Sequence, residues 1–353
     1  MNNIILFIIR YLGWRDWSVL VYNSILENIF IVFYIALRRE VAVFPYFMDL
    51  FCFLMFSFFS TTYGYLINDF ADMELDLAHG KANTFHGDSK GKARLIVALF
   101  AFLSLLFGLR FIDNPVFLLL WFLWALCATF YSIKPIRLKE RGKMGLVVVV
   151  IAQRMLPILI LFAAFHYDAW LEVSVLTIYV LFRGLSSDLN HQLEDYCRDT
   201  ETRTQTYAVT AGLKRARKIF RVSLEAEKML LLLCLLLMYA NWPLSGVYGI
   251  SEMLPVLLVY LVLYAFCWVQ LFKRMPDVNP FAKERKDIFQ FLHHAFPSVV
   301  LPLYLLVILA FTNVRYGILL VIFVIYRKLY SPALIMNSFP MRAVRKLKTS
   351  ILA

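Results

Sequence analysis

Charged residues are scarce in this 353-residue chain, at 17% of its length, whereas a typical soluble domain has about 25%. Hydrophobic residues account for 61%, and the mean hydropathy is +0.70. This shortage of charge excludes an ordinary soluble globular domain. The composition indicates an integral membrane protein, and the chain is long enough for several membrane-spanning helices.

Other features are also missing. The five cysteines have no spacing typical of a metal or redox site, and no Gly/Ser-rich or Pro-rich linker divides the chain. We therefore expect one membrane-embedded domain over residues 1–353. No cleavable signal peptide is evident, because residues 3–14 carry Arg10 and lack a small-residue cleavage site. Residues 1–16 are expected to lie at the membrane surface, and residues 313–353 to hold a short hydrophobic segment and a basic tail.

The net charge of +12 does not indicate nucleic-acid binding, because the chain has no soluble recognition module with a basic patch. Basic residues instead form short clusters between apolar runs, as the positive-inside rule predicts for a multi-pass protein surrounded by membrane lipids. These clusters follow the even-numbered runs. We therefore expect the loops after those runs to face the cytoplasm, with the protein in the inner membrane if the cell is bacterial.

Apolar runs long enough to cross a bilayer recur along the chain. They cover residues 17–37, 44–67, 93–111, 114–132, 145–165, 169–187, 226–243, 253–272 and 290–312, with a shorter run at 316–327. The pattern predicts an all-α polytopic membrane protein. We expect a bundle of about nine transmembrane helices, or ten if the short run also crosses, around a central cavity that opens to the cytoplasmic side.

An acidic segment, residues 68–76, ends the second apolar run, at a depth where carboxylates are costly. Asn68, Asp72 and Asp76 are spaced by four residues, so on a helix they share one face. Such a column of amide and carboxylate oxygens suits a hard cation such as Mg²⁺, which keeps some waters and bridges to phosphate oxygens.

A second acidic segment, residues 188–199, ends the sixth apolar run. Its polar residues form one helical stripe: Asp188, His191, Gln192, Asp195 and Asp199. Two acidic columns at the same depth repel each other, and divalent cations with a polyanionic ligand would resolve that repulsion. The sequence therefore predicts that the two columns face each other across a cavity.

The loop after the fourth run, residues 131–142, carries Lys134, Arg137 and Lys139. By itself it is typical of a basic loop at the membrane edge. Beside two acidic columns it is a candidate clamp for a phosphorylated ligand.

In these motifs the chain resembles the UbiA-type superfamily of intramembrane prenyltransferases. That family carries an N-D-x-x-D-x-x-x-D motif after its second helix, which residues 68–76 match at every position. Its D-x-x-x-D motif after the sixth helix is matched by Asp195 and Asp199. A T-x-x-V-x-x-G motif follows at 206–212, and the Y-S-x-x-P-x-R-x-K loop is matched at 131–139. The chain departs from the family just before the second motif, where His-Gln replaces a common Asn-Asp pair.

The resemblance implies Mg²⁺-dependent transfer of an isoprenyl group from an allylic polyprenyl diphosphate to an aromatic or other lipophilic acceptor within the membrane. The metal neutralises charge that develops on the leaving diphosphate. The implied metal ligands are Asn68, Asp72, Asp76, Asp195 and Asp199. The implied diphosphate contacts are Lys81, Lys134, Arg137 and Lys139.

The candidate catalytic residues are Asp69, Tyr131, His191 and Asp195. Asp69 would ligate the metal or orient a basic partner, and the ring of Tyr131 would stabilise an allylic carbocation. His191 would act as a hydrogen-bonding prop for Asp195 or as an acid or base.

Polar residues also occur within the predicted spans. Asn23, Glu27 and Asp188 are candidates for the acceptor side of the cavity, or for structural hydrogen bonds between helices. Arg154 and Arg183 lie in apolar surroundings, and we expect each to pair with a carboxylate such as Glu27 or Asp188.

Other activities remain open from the sequence. The same superfamily resembles membrane terpene cyclases, and it includes enzymes that move a phosphoribosyl group onto a polyprenyl phosphate. Both keep the acidic motifs. A cation-coupled transporter would also use acidic stripes and basic loops, but the chain shows no inverted repeat and no pair of spans broken by Gly or Pro.

Overall fold

A computed structural model describes most of the chain. It covers residues 7, 10–11, 23–39, 42–202, 204–242, 251–279, 287–343 and 345, with only the backbone of Leu334. Most of the predicted surface segment, the start of the first predicted span and the end of the basic tail lie outside these residues. The described residues form helices and loops, and their one β contact is an isolated bridge between Gly142 and Thr206.

The helices are numbered here in chain order. They are α1 Ser24–Glu27, α2 Phe30–Arg39, α3 Val43–Ala78, α4 Lys90–Phe111, α5 Pro115–Ser132, α6 Lys143–Ala164, α7 Trp170–Glu194, α8 Tyr196–Glu201, α9 Tyr207–Ala211, α10 Leu213–Ala240, α11 Leu254–Leu271, α12 Ile288–Thr312, α13 Val314–Tyr326 and α14 Pro332–Met336. The all-α class expected from the sequence is confirmed.

Six of these helices, α3, α4, α5, α6, α11 and α12, are long and apolar enough to cross a membrane. Many large apolar side chains on them are exposed, including Phe44 at 75% and Phe311 at 88%, as expected of surfaces that face lipid. Helices α7 and α10 lie where two further spans were expected, and their polar stripes make them less apolar. The protein is therefore an integral membrane protein, and the count of nine spans stays a prediction.

The chain forms two compact units. One comprises residues 1–27 and 44–219, and the other comprises residues 28–43 and 220–353. The first unit has an aromatic core on the side away from the acidic motifs. There, the Phe53 ring lies 5.9 Å from Phe111 and 5.6 Å from Phe165, in the edge-to-face geometry that aromatic pairs prefer.

Local sequence explains where several helices begin. Ser89 accepts a hydrogen bond from the Lys92 amide at the start of α4, and Asn114 accepts one from Val116 at the start of α5. At the start of α12, Asp287 accepts a hydrogen bond from the Phe289 amide at 2.8 Å. These side chains satisfy amides that have no partner within their helices.

The second unit is organised around a buried acid–base pair. His293 Nδ1 lies 2.6 Å from Glu227 Oε1, and these side chains are only 1% and 2% exposed. Beside them, the buried Lys228 ammonium donates to the Leu224 carbonyl at 2.7 Å, and the Tyr260 hydroxyl donates to the Lys228 carbonyl at 2.8 Å. A buried charge is tolerated only when it is paired and hydrogen-bonded in this way.

We expect Glu227→Ala to lower the stability of the protein by about 3 kcal/mol, because it leaves the His293 ring without its carboxylate in an apolar interior. Glu227→Gln, which keeps an acceptor oxygen, should lower the stability of the protein by less. Thermal unfolding in detergent micelles measures both, with the exposed Glu201→Ala as the control. Equal melting temperatures for Glu227→Ala and wild type would contradict this role.

Candidate active site

The first acidic motif lies on the last turns of α3. Asn68 Oδ1 accepts hydrogen bonds from Ser132 Oγ and from Lys139 Nζ, each at 2.8 Å. The same Lys139 ammonium also donates to Asp72. The side-chain oxygens of Asn68 and Asp72 therefore converge on one positive charge, as their spacing predicted.

Asp72 also pairs with Arg137, whose Nη2 lies 2.8 Å from Asp72 Oδ1. Arg137 in turn donates through Nε to Glu140 at 2.6 Å. Burial lowers the pKa of the Arg137 guanidinium, but the interactions with Glu140 and Asp72 raise it by more. The net effect is a raised pKa. For Lys139 the balance is reversed, and burial lowers the pKa of its ammonium although Asp72 favours the charge. The predicted basic clamp thus holds the first motif directly.

Asp69 and Asp76 hold the loop that follows α3. Asn83 donates through one amide nitrogen to the Asp69 carbonyl and to Asp76 Oδ2, both at 2.8 Å. The Thr84 amide donates to Asp69 Oδ2 at 3.0 Å, and Asp69 is completely buried. Asp69 therefore faces this loop, while Asn68 and Asp72 face the basic clamp.

The far end of the same loop is tied to the start of the chain. Arg10 donates to the Thr84 carbonyl at 2.8 Å and to the His86 carbonyl at 3.1 Å. It also forms an ion pair with Asp88 at 2.7 Å. The position of Asp69 is therefore fixed from both sides of the loop.

The second acidic motif lies where α7 ends and α8 begins. Asp195 is half-buried, with Arg198 Nη2 at 3.2 Å and the exposed His191 Nε2 at 3.6 Å from Oδ2. Asp199 is buried, and its amide donates to the Asp195 carbonyl at 2.8 Å. Burial, together with the charge of Asp195, raises the pKa of Asp199, against the opposing effects of Thr206, Arg198 and Lys81.

The basic loop is joined to the segment that follows the second motif. The Gly142 amide donates to the Gln205 carbonyl at 3.0 Å, and Gly142 forms the isolated bridge with Thr206. Gly142 has φ +50°, and a Cβ at this position would lie 3.0 Å from Thr210 Oγ1. Glycine is therefore required where these two segments approach each other.

A cavity of about 420 Å³ lies beside both motifs. Its lining residues come from the end of α3 and the loop that follows it, from the basic loop and from the segment after α8: Leu75, His79, Lys81, Glu140, Thr202, Thr204 and Gln205. Lys81 is close enough to Asp199 to influence its charge. Lys134, also predicted to bind diphosphate, is exposed and lies near Glu74 rather than at the cavity.

The polar residues predicted for the acceptor side lie deeper in the same unit. Asn23 caps α1 by accepting from the Leu26 amide at 2.9 Å. Glu27 is bound by Arg154 and lies 3.9 Å from Arg183, which confirms the expected pairing of both arginines with a carboxylate. Asp188 lies within electrostatic range of Arg154 and of the Tyr131 hydroxyl.

Two polar contacts of the site were not predicted. Asn83 joins two acidic residues of the first motif, and Glu140 orients Arg137. Glu140 is three residues from its partner, so the spacing rule for local ion pairs could have found it. Asn83 is in a loop, where no periodicity links it to α3.

The oxygen donors fit a divalent cation. Asn68 and Asp72 already share one cation, the Lys139 ammonium. Within the described ranges, no group of three or more His, Cys, Asp or Glu side chains could hold a metal alone. Mg²⁺ sites of this type normally use one or two carboxylates, waters and substrate phosphates.

Comparisons with known proteins concern the sequence pattern of the chain and its fold. The sequence pattern of the UbiA prenyltransferase family matches residues 29–294. No curated protein matches the chain by sequence.

Solved structures share its fold. A UbiA homologue from Archaeoglobus fulgidus bound to GPP and Mg²⁺ superposes with a TM-score of 0.59 at 15% identity, covering 86% of this chain and 99% of its own. A UbiA homologue from the same organism bound to DMAPP and Mg²⁺ gives a TM-score of 0.58 at 15% identity, covering 86% and 98%. A digeranylgeranylglyceryl phosphate synthase gives 0.55 at 18% identity, also covering 86% and 98%. At these identities the likeness concerns the fold alone.

We expect Asp69→Ala to loosen the loop at residues 83–88, because the Thr84 amide loses its buried acceptor. Asp69→Asn keeps an acceptor oxygen and should preserve the loop. Hydrogen exchange of the loop amides measures the difference, and Glu74→Ala, which removes an exposed acid of the same helix, is the matched control. Unchanged exchange in Asp69→Ala would show that the loop does not depend on this contact.

Proposed function

Because this chain belongs to the UbiA prenyltransferase family, we propose that it transfers an isoprenyl group from an allylic diphosphate to a lipophilic acceptor within the membrane. The observation that carries the proposal is the convergence of Asn68, Asp72, Arg137 and Lys139 at the end of α3. Two acidic motifs, a basic clamp and a polar cavity thus occur together in one unit. The homologues bound to GPP or DMAPP with Mg²⁺ support this class of donor substrate.

The first motif and the basic loop would bind the diphosphate end of the donor. Asn68, Asp72 and Asp76 would hold one Mg²⁺ and Asp195 and Asp199 another, and these ions would neutralise charge on the leaving group. Arg137 and Lys139 would donate hydrogen bonds to the phosphate oxygens. Lys139 is suited to this role because its ammonium already lies beside Asn68 and Asp72, two of the residues that would hold the metal.

Asp69 would act indirectly. It holds the loop at Asn83 and Thr84, and Asn83 in turn fixes the Asp76 carboxylate. Residues that orient a metal ligand in this way commonly change metal affinity when they are replaced.

Tyr131 would face the reacting carbon. The Tyr131 side chain is half-buried, and its hydroxyl is within electrostatic range of both Asp72 and Asp188. An aromatic face near a developing allylic cation would stabilise that charge. His191, which is exposed and close to Asp195, would serve as a prop for that carboxylate.

The donor would reach the site from the cytoplasmic side. The basic loop after α5 and the basic residues after α7 lie at the same end as both acidic motifs, and this end faces the cytoplasm under the positive-inside rule. A soluble diphosphate head would enter there, while its apolar tail remained among the helices.

Asp72→Asn and Asp199→Asn should each lower turnover of an allylic diphosphate by about 10²–10³-fold, the usual loss when one preorganised electrostatic contact is removed. The assay incubates purified protein with Mg²⁺, geranyl diphosphate and a panel of lipophilic acceptors, and follows diphosphate release and prenylated products by mass spectrometry. Asp113→Asn, an exposed acid in the loop between α4 and α5, should retain activity. Full activity in Asp72→Asn would refute the proposed function.

Lys139→Ala should raise the KM for the allylic diphosphate by about tenfold or more, since a hydrogen bond to a charged partner is lost. Lys139→Arg should recover part of the affinity, because it keeps the charge and the reach. The exposed Lys143→Ala tests for a general effect of charge near the membrane surface. If the KM for the diphosphate is the same in Lys139→Ala and wild type, the ammonium does not contact the substrate.

A further inference from the structure

The side chain of Arg10 binds the loop between α3 and α4, which spans residues 79–89. Arg10 donates to the Thr84 carbonyl through Nε at 3.0 Å and through Nη2 at 2.8 Å, and to the His86 carbonyl through Nη2 at 3.1 Å. Nη2 also lies 2.7 Å from Asp88 Oδ2, on a side chain that is only 5% exposed. A single guanidinium thus joins three points of one short loop, which suits its rigid fork of donors.

Apolar contacts hold the same segment of the chain against the loop. The ring of the buried Tyr11 lies 6.1 Å from the ring of the fully buried Phe85, and both belong to one hydrophobic cluster with residues of α3 and α4. Phe7 packs against the same cluster, and the Tyr11 hydroxyl donates to Asp88 Oδ2 at 3.3 Å. Arg10 is therefore part of a docked segment, unlike an isolated ion pair at a surface.

The loop carries this contact to the first acidic motif at Thr84. The carbonyl of Thr84 accepts from Arg10, and its amide donates to the Asp69 carboxylate at 3.0 Å. Asp69 is completely buried, so it depends on this amide to satisfy one of its oxygens. One residue of the loop is thus held from both sides.

The neighbouring Asn83 connects the loop to a second carboxylate of the motif. Asn83 Oδ1 accepts from the Phe85 amide at 2.9 Å, so the nitrogen of the same side chain is the end that faces Asp76 Oδ2, at 2.8 Å. The turn that Arg10 holds therefore sets the orientation of the Asn83 side chain. Asn83 in turn fixes the position of the Asp76 carboxylate.

The loop also carries Lys81. Its amide donates to the Asp76 carbonyl at 2.8 Å, and its side chain lines the cavity beside both motifs. The conformation of this loop thus affects one implied metal ligand and one implied diphosphate contact.

We propose that Arg10 is a positioning residue of the candidate active site, which holds the loop after α3 so that Asn83 orients the Asp76 carboxylate for a divalent cation. The guanidinium binds the loop carbonyls and Asp88, so its effect on the motif passes through the loop. Groups that orient a metal ligand change metal affinity by about 10–100-fold when they are replaced. The assignment rests on the proposed function for the identity of the metal and its diphosphate partner, but it is testable without turnover.

The experiment uses geranyl S-thiolodiphosphate, an unreactive analogue of an allylic diphosphate, in radiolabelled form. Its binding to the full-length protein in detergent micelles is followed by scintillation proximity at increasing Mg²⁺ concentration. Arg10→Ala should raise the Mg²⁺ concentration for half-maximal binding by about tenfold or more, because Asp76 loses its fixed orientation. Arg10→Lys, which keeps a charge beside Asp88 without the fork of donors, should give a smaller rise of about threefold. Arg94→Ala, which removes an exposed arginine of α4, is the matched control and should leave the requirement unchanged.

A double-mutant cycle tests the route through Asn83. Asn83→Ala should also raise the Mg²⁺ requirement, and adding Arg10→Ala should then raise it by less than about threefold more, because both changes break the same chain of contacts. If the two effects multiply as independent ones do, the proposal is overturned.

An equal Mg²⁺ requirement in Arg10→Ala and wild type would also overturn the proposal, and a lower melting temperature with that unchanged requirement would assign Arg10 a merely structural role. Should Arg10→Ala not fold, Arg10→Lys carries the test, and a wild-type requirement in that variant would count against the proposal. Failure of the proposed function appears differently, as wild-type protein that binds the analogue without any dependence on Mg²⁺ or does not bind it at all.

Discussion

The cost of burying carboxylates within apolar helices governs the arrangement of this protein. Each acidic side chain at membrane depth needs a cation or several hydrogen bonds, since an isolated charge there is very unfavourable. Asp72 is paired with Arg137 and Lys139, Glu27 is paired with Arg154, and Glu227 is hydrogen-bonded to the imidazole of His293. These partners come from helices and loops far away in sequence, so the same contacts that neutralise charge also hold the helices in position.

This constraint also explains why the loops beside the motifs are well connected. The loop after α3 is held by Asp69 and Asp76 on one side and by Arg10 on the other. The basic loop is held by Asp72 and by its backbone contact with Gln205. Loops normally carry function on a rigid scaffold, and here the carboxylates of the candidate site supply part of that rigidity.

The sequence predicted the parts of the site that follow helical spacing. Asn68 and Asp72 share a face because they are one turn apart, and the pairing of Arg154 with Glu27 follows from their shared apolar surroundings. It could not predict contacts that depend on loop geometry, such as Asn83 with Asp76, or on close approach, such as Gly184 with Arg154. Hydropathy found the six most apolar helices, but α7 and α10 combine apolar and polar faces, and composition alone does not show how such helices lie in a membrane.

The two acidic motifs are electrostatically unequal. In the first, Lys139 and Arg137 already compensate Asp72, so a metal bound there must compete with resident cations. In the second, Asp199 is buried beside the like charge of Asp195, and this raises the pKa of Asp199 despite Arg198 and Lys81. Under the proposed function, a divalent cation at the second motif would relieve the repulsion between Asp195 and Asp199, whereas one at the first would have to displace the Lys139 ammonium. A bound diphosphate would offset this displacement, because its oxygens would give Lys139 and Arg137 new partners. We therefore expect metal and diphosphate to bind this site cooperatively. The metal would replace Lys139 and Arg137 at Asp72, and the diphosphate would bind the two basic side chains that are released.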